Sequence, residues 1–178
     1  MTDTGDTTHA GETSDWRRIA VVTVPAIVFV GWLSGRLSNS GYGNAWFDAL
    51  IKPTFMPPGW LFGLAWTLLY ILLGLALALI LAAPRSSRRT GALFLFFAQL
   101  ALNFAWSPIF FAAHDIGLAK IVIFLMTAVA AAAAGQFRRI RPLAGALMLP
   151  YLGWLIFAAT LTAAIQRLNP QASTSLFG

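Results

Sequence analysis

Residues 60–83, WLFGLAWTLLYILLGLALALILAA, form a long apolar run that contains no charged side chain. A helix rises 1.5 Å per residue, so this run is long enough to cross the ~30 Å hydrocarbon core of a bilayer. A run of this length and polarity predicts a transmembrane helix rather than the core helix of a soluble domain.

Four further apolar runs surround this segment. The whole chain of 178 residues is 58% hydrophobic and only 10% charged, whereas a typical soluble domain carries about 25% charged residues. The sequence therefore predicts an all-α membrane protein, a bundle of five transmembrane helices within a membrane domain at residues 16–170. Besides residues 60–83, the predicted helices lie at about residues 19–37, 92–113, 116–136 and 143–166.

The ends of the chain and its charges give the expected orientation. Residues 1–15 are polar and hold four of the six acidic residues, which predicts a disordered tail, and residues 171–178 form a short second tail. Eight of the twelve Lys and Arg residues lie on the face that carries the N-terminus. Since cytoplasmic loops are enriched in Lys and Arg, we expect the N-terminus in the cytoplasm of a bacterial cell. The net charge of +6 belongs to these short loops, so we expect no nucleic-acid partner.

The longest loop, residues 38–58, faces the less basic side. Trp46, Phe47, Leu50 and Ile51 share one face of a short helix that opens near Asn44. Prolines at the end of the loop suit the first turn of the next span. Two readings remain open: the loop is an aromatic anchor at the membrane interface, or a lid over a pocket.

The third span carries a polar and aromatic stripe. Polar side chains are costly at membrane depth, so they either form hydrogen bonds between helices or hold a ligand. The opposite face is small and suits close helix contact, within the bundle or across a dimer. The stripe consists of Gln99, Asn103, Trp106 and Phe110, and the small face of Ala98, Ala101 and Ala105.

Three tryptophans lie in the same half of the predicted bundle. Phe62, Trp66 and Tyr70 form a single stripe on the second span, at a spacing of four residues. Counted from the face with the long loop, Trp66, Trp106 and Trp154 all lie in the half beneath that loop. These positions fit either an aromatic cavity for a large, flat, apolar ligand or a packed tryptophan core.

Known bond-making constellations are missing from the sequence. There is no cysteine, His9 lies in the tail and His114 lies in a loop. No metal-ligand cluster, catalytic triad or phosphate-binding glycine loop is present. We therefore expect no metal, no cofactor and no catalytic residue of these kinds.

Several motifs in this chain resemble those of the TspO/MBR family, the group of tryptophan-rich sensory proteins, translocator proteins and peripheral benzodiazepine receptors. The order and spacing of the segments agree with that family. The resemblance implies a five-helix membrane fold, usually dimeric, that binds porphyrins and other tetrapyrroles, sterols and benzodiazepine-type drugs. The matching segments are WFDALIKPTFMPPGWLFGLAWTLLY (46–70), AQLALNFAWSPIFF (98–111), PYLGWLIFAATL (150–161) and, less specifically, GWLSG (31–35).

The resemblance also implies a site beneath the first long loop. Its motifs carry over to Lys52, Pro53, Pro57 and Pro58 in the loop. Trp154 matches the position linked in similar bacterial proteins to light-dependent porphyrin breakdown. The expected ligand-binding residues are Trp46, Phe47, Phe55, Phe62, Trp66, Tyr70, Asn103, Trp106, Phe110 and Trp154.

Departures from the family pattern favour one ligand class. Family members usually have tyrosine where this chain has Phe47, and tryptophan where it has Thr54-Phe55. The tyrosines of the animal sterol-recognition segment are also missing from residues 161–164. We therefore expect a tetrapyrrole ligand ahead of a sterol, a sensory or regulatory role in the bilayer, and a homodimer. Two alternatives are a porphyrin-degrading enzyme that uses Trp154 and a transporter of porphyrin or cholesterol.

Overall fold

The computed structural model describes residues 7–172, with side chains from residue 15 onward. Within that range it is helical and contains no strand, which confirms the predicted all-α class. The helices are α1 (Thr7–Leu37), α2 (Ala45–Ala49), α3 (Gly59–Leu81), α4 (Ser87–Ser107), which a π-helical turn (Pro108–Ala112) continues, α5 (Ile116–Ile140), α6 (Pro142–Leu147) and α7 (Leu149–Leu168).

Five helical segments in the described part of the chain are long and apolar enough to cross a membrane, as predicted. They are Asp15–Leu37, Gly59–Leu81, Ser87–Ala112, Ile116–Ile140 and Pro142–Leu168. The main boundary difference is at the N-terminus, where the α1 backbone already begins at Thr7. The predicted tail therefore differs over residues 7–15, which continue the helix, while residues 1–6 and 173–178 lie outside the described residues.

Side-chain caps mark the starts of α4 and α5. The Ser86 side chain accepts a hydrogen bond from the Arg89 backbone N–H at 3.2 Å and caps α4. The Asp115 carboxylate accepts one from the Leu118 N–H at 2.8 Å and caps α5. Both capped helices begin only a few residues after the preceding span ends.

Close contact between α1 and α3 depends on small residues. The Thr23 hydroxyl donates to the Gly74 carbonyl oxygen at 2.9 Å, and a Cβ atom at Gly74 would lie 2.6 Å from the Val24 Cα. A Cβ atom at Gly31 would overlap the ring of Tyr70. Gly31 thus lies in a packing face of α1.

The two halves of the bundle differ in how they are filled. The half near the basic loops is a dense core, where Leu73, Ile80, Phe96 and Phe137 are fully buried and the last two rings stack 5.3 Å apart. Towards the long loop, the helices instead surround an open cavity. This asymmetry places the candidate site in the loop half.

Candidate ligand-binding cavity

A cavity of about 810 Å³ lies beneath the long loop. Its size falls in the range of small-molecule sites, roughly 300–1,000 Å³. Residues of α1, the long loop, α3, α4, α5 and α7 contribute to its walls. Of the residues expected at the site, those that line it are Phe47, Phe62, Trp66, Tyr70, Asn103, Trp106, Phe110 and Trp154.

Two expected residues, Trp46 and Phe55, are not among the lining residues. Adjacent residues on a helix point about 100° apart, so Phe47 enters the cavity while Trp46 turns away. The Trp46 indole stacks on His114 at 4.4 Å, and its Nε1–H donates to the Ala172 carbonyl oxygen at 3.3 Å. Phe55 is 47% exposed and lines an outer groove, and its ring lies 6.5 Å from that of Phe157. These two side chains therefore lie outside the cavity lining.

The wall between α3 and α7 is a cluster of rings. The Trp154 ring lies 6.3 Å from Trp66 and 5.8 Å from Phe62, in both cases edge to face. Trp66 also stacks on Tyr70 at 5.4 Å, as expected for residues one turn apart on the predicted stripe. The buried Trp154 Nε1–H has no hydrogen-bond acceptor in the described part of the chain.

The wall formed by α4 depends on its π-helical turn. Pro108 lacks an N–H, so the regular α-helical ladder cannot continue through it, and the turn from Pro108 is wider. Phe110 and Phe111 are consecutive and both buried. Trp106 stacks on Phe110 at 5.0 Å, and its Nε1–H donates to the Ala119 carbonyl oxygen on α5 at 3.1 Å.

A chain of hydrogen bonds forms the polar end of the cavity. The Tyr70 hydroxyl donates to Asn103 Oδ1 at 2.8 Å, and Asn103 Nδ2 donates to the Tyr151 hydroxyl at 3.1 Å. The Tyr151 hydroxyl in turn donates to Gln99 Oε1 at 2.7 Å, while Gln99 Nε2 has no partner among the described residues. Gln99 therefore forms a hydrogen bond between helices, whereas Asn103 both links helices and lines the cavity.

The long loop is fixed over the cavity from two directions. Asn44 caps α2 by accepting from the Phe47 N–H at 3.1 Å, and its amide donates to the Phe111 carbonyl oxygen at 3.2 Å. At the other end, Asn169 exchanges two hydrogen bonds with the Ile51 backbone, at 2.8 and 2.9 Å. The loop is thus a roof, and it contributes the buried Phe47 to the cavity lining together with Tyr42 and Met56.

Lys52, carried over from the family motif, closes the short helix of this roof. Its Nζ donates to the carbonyl oxygens of Phe47 at 2.8 Å, Asp48 at 3.1 Å and Leu50 at 3.3 Å. These carbonyls form the C-terminal end of α2, where a positive charge is favourable. The structure thus gives Lys52 a role in holding the roof in place.

The sequence interpretation missed the wall contributed by α1. Phe29, Trp32, Gly35 and Arg36 line the cavity, and a Cβ atom at Gly35 would meet nothing within 4 Å. Of the two glycines Gly31 and Gly35, only Gly31 contacts a neighbouring ring closely. An aromatic and a charged residue beside Gly35 were the signals that this face borders open space.

The fold and the cavity define a class: a multi-pass integral membrane protein of five spans that encloses an aromatic pocket. The family model described as TspO/MBR family matches residues 21–168, and the chain belongs to that family. The cytoplasmic position of the N-terminus stays a prediction.

Similar proteins come from animals, archaea and bacteria. The chain is 36% identical over 153 residues to the translocator protein of Homo sapiens, which covers 82% of this chain and 90% of the human protein. It is 37% identical over 151 residues to the tryptophan-rich protein TspO of Archaeoglobus fulgidus, covering 84% and 95% respectively. It is 39% identical over 126 residues to the tryptophan-rich sensory protein of Cereibacter sphaeroides, covering 71% and 78%.

Proposed function

We propose that this protein binds tetrapyrroles of the porphyrin type in the cavity beneath the long loop. The observation that carries the proposal is the cavity of about 810 Å³, walled by the rings of Phe62, Trp66, Trp106 and Trp154. Ring faces and edges gain most from a flat aromatic ligand, because such a ligand can stack on several of them at once. A sensory or regulatory role fits the name of the Cereibacter sphaeroides relative.

The composition of the walls also supports a large apolar ligand. Apart from Asn103 and the Tyr70 hydroxyl at its inner end, most of the wall facing the core of the bundle is hydrocarbon or indole. Binding sites for small molecules typically combine such a surface with a few polar groups that fix orientation. A strongly polar metabolite would lose its water in this site without gaining enough hydrogen bonds in return.

Two tryptophan variants test the proposal. Trp66→Ala and Trp154→Ala should each weaken protoporphyrin binding about tenfold, because each removes ring contact worth roughly 1–2 kcal/mol. Binding is measured by titrating the detergent-purified protein and following the remaining tryptophan fluorescence, with a free-tryptophan sample to correct for light absorbed by the porphyrin. Trp16→Ala is the matched control, because Trp16 lies at the other end of α1 and does not line the cavity. Equal affinity in all three variants and the native protein would refute the assignment.

We further propose that the protein is a homodimer that pairs through α4. The small face of this helix is turned outward, with Ala101 and Ala105 exposed on the described chain. Small residues allow close approach of helices within a bilayer. Since the sequence has no cysteine, Ala101→Cys should give a disulfide-linked dimer on mild oxidation in membranes. Ala131→Cys, on the exposed side of α5, should give no disulfide-linked dimer, and equal yields of linked dimer at both positions would argue against this interface.

A further inference from the structure

We propose that Arg36 binds an anionic group of the ligand and that the cavity selects flat amphiphiles that carry a carboxylate. The inference deepens the proposed function and rests on it. It adds an orientation: the acidic edge of the ligand lies at the mouth of the cavity beside α1, and the apolar body points inward towards Trp66 and Trp154.

The charge distribution around the cavity carries the inference. Among the described residues that line it, Arg36 is the one with a charged side chain. Arg36 lies in the last turn of α1, next to Leu37, where the helix ends at the loop face. An exposed guanidinium at that position reaches the mouth of the cavity, where the ligand's edge would meet water.

The neighbouring charged groups of the roof are engaged elsewhere. Lys52 donates to three carbonyl oxygens of α2. The Asp48 carboxylate accepts a hydrogen bond from the Gly43 N–H at 3.0 Å. The guanidinium of Arg36 instead lies 6.0 Å from the centre of the Trp32 ring, which also lines the cavity. A ligand carboxylate can therefore pair with Arg36 without displacing an internal partner of the roof.

Polarity along the cavity makes one orientation favourable. Between the start of α3 at Gly59 and Tyr70 the helix descends roughly 16 Å, and the polar groups at that depth, Tyr70 and Asn103, are uncharged. A carboxylate placed there would lose its hydration without a counter-charge. At the mouth it keeps contact with water and gains the two-pronged hydrogen bonding that guanidinium offers to carboxylates.

The experiment compares two ligands with the same macrocycle, one charged and one esterified. Protoporphyrin IX has two carboxylates, and its dimethyl ester has none. In dodecyl maltoside, Arg36→Gln should weaken binding of the diacid about tenfold and leave binding of the ester unchanged, and Arg36→Lys should retain part of the preference. In the native protein, raising the salt concentration should weaken binding of the diacid and leave binding of the ester unchanged. Arg167→Gln is the matched control, because Arg167 lies on the same side of the membrane in the outer groove.

Each result decides between named explanations. Lipid phosphates could also pair with Arg36, but this detergent has no phosphate, so native-like diacid binding by Arg36→Gln would overturn the inference. The inference would also be overturned if Arg36→Gln lost the same affinity for the diacid and for the ester. It would be overturned as well if Arg167→Gln lost as much affinity for the diacid as Arg36→Gln, since neither result reflects a contact between Arg36 and a carboxylate. If the native protein bound neither compound, the proposed function itself would fail; binding of both without dependence on Arg36 would overturn only this inference.

Discussion

Gly35→Trp should lower the affinity for protoporphyrin by at least about tenfold while the protein stays folded. Gly35 lines the cavity, and a Cβ atom there meets nothing within 4 Å, so the new indole can enter space that the ligand would occupy. Forcing additional volume into an occupied site costs roughly 1–3 kcal/mol, and 1.4 kcal/mol corresponds to a tenfold change. Equilibrium dialysis measures the affinity without relying on tryptophan fluorescence, which the substitution itself changes.

Gly153→Trp is the control for this experiment. Gly153 also has open space around its Cβ position, but it lies on the exposed side of α7 and does not line the cavity. Both substitutions replace a helical glycine, so both slightly favour the helix and add the same side chain. Near-native affinity in Gly153→Trp with a large loss in Gly35→Trp is the expected pair of results. Similar affinities in the two variants would mean that porphyrin binds elsewhere.

Tyr151→Phe should destabilise the protein by about 2 kcal/mol. The substitution keeps the ring but removes the hydroxyl that links Asn103 Nδ2 and Gln99 Oε1. All three side chains are buried, and a buried polar group without its partner costs roughly 1–3 kcal/mol. Interhelical hydrogen bonds in membranes average less, about 0.6 kcal/mol, but two of them are lost here. Unfolding in mixed detergent micelles with increasing dodecyl sulfate measures the change.

Tyr42→Phe gives the comparison for Tyr151→Phe. Tyr42 is 49% exposed, and its hydroxyl donates a long hydrogen bond of 3.4 Å to the Pro57 carbonyl oxygen. Water can replace that bond, so the change in unfolding free energy should stay within about 0.5 kcal/mol. Equal destabilisation by the two variants would show that the buried hydrogen-bond chain contributes little to stability.

The periodic spacing of residues along the helices was enough to predict most of the fold and much of the candidate site. A spacing of four residues predicted that Phe62, Trp66 and Tyr70 share a face, and the structure turns all three towards the cavity. The length of each apolar run predicted the spans, because the bilayer sets a minimum length. The short helix of the loop opens at Asn44, as predicted, and the Asn44 side chain caps it.

The remaining features of the site depend on which helices are neighbours. The spacing of residues along one helix does not give that information. The stripe on α4 was predicted as a unit, yet only structure shows that Gln99 pairs with Tyr151 and that Asn103 joins Tyr70. Gly31 and Gly35 lie one helical turn apart, yet only structure shows that Gly31 packs against Tyr70 while Gly35 borders the cavity. In the loop, Phe55 follows no helical period, so its outward direction could not be read from the sequence.

The most direct test of the proposed site is a structure determined with protoporphyrin bound. We predict that the macrocycle lies between α3 and α7, in contact with Trp66 and Trp154, with a carboxylate at Arg36. The outer groove beside Phe55 is the competing location, because it is another apolar depression on the described chain. A macrocycle seated in that groove, with the cavity beneath the loop empty, would contradict the proposed function of the cavity.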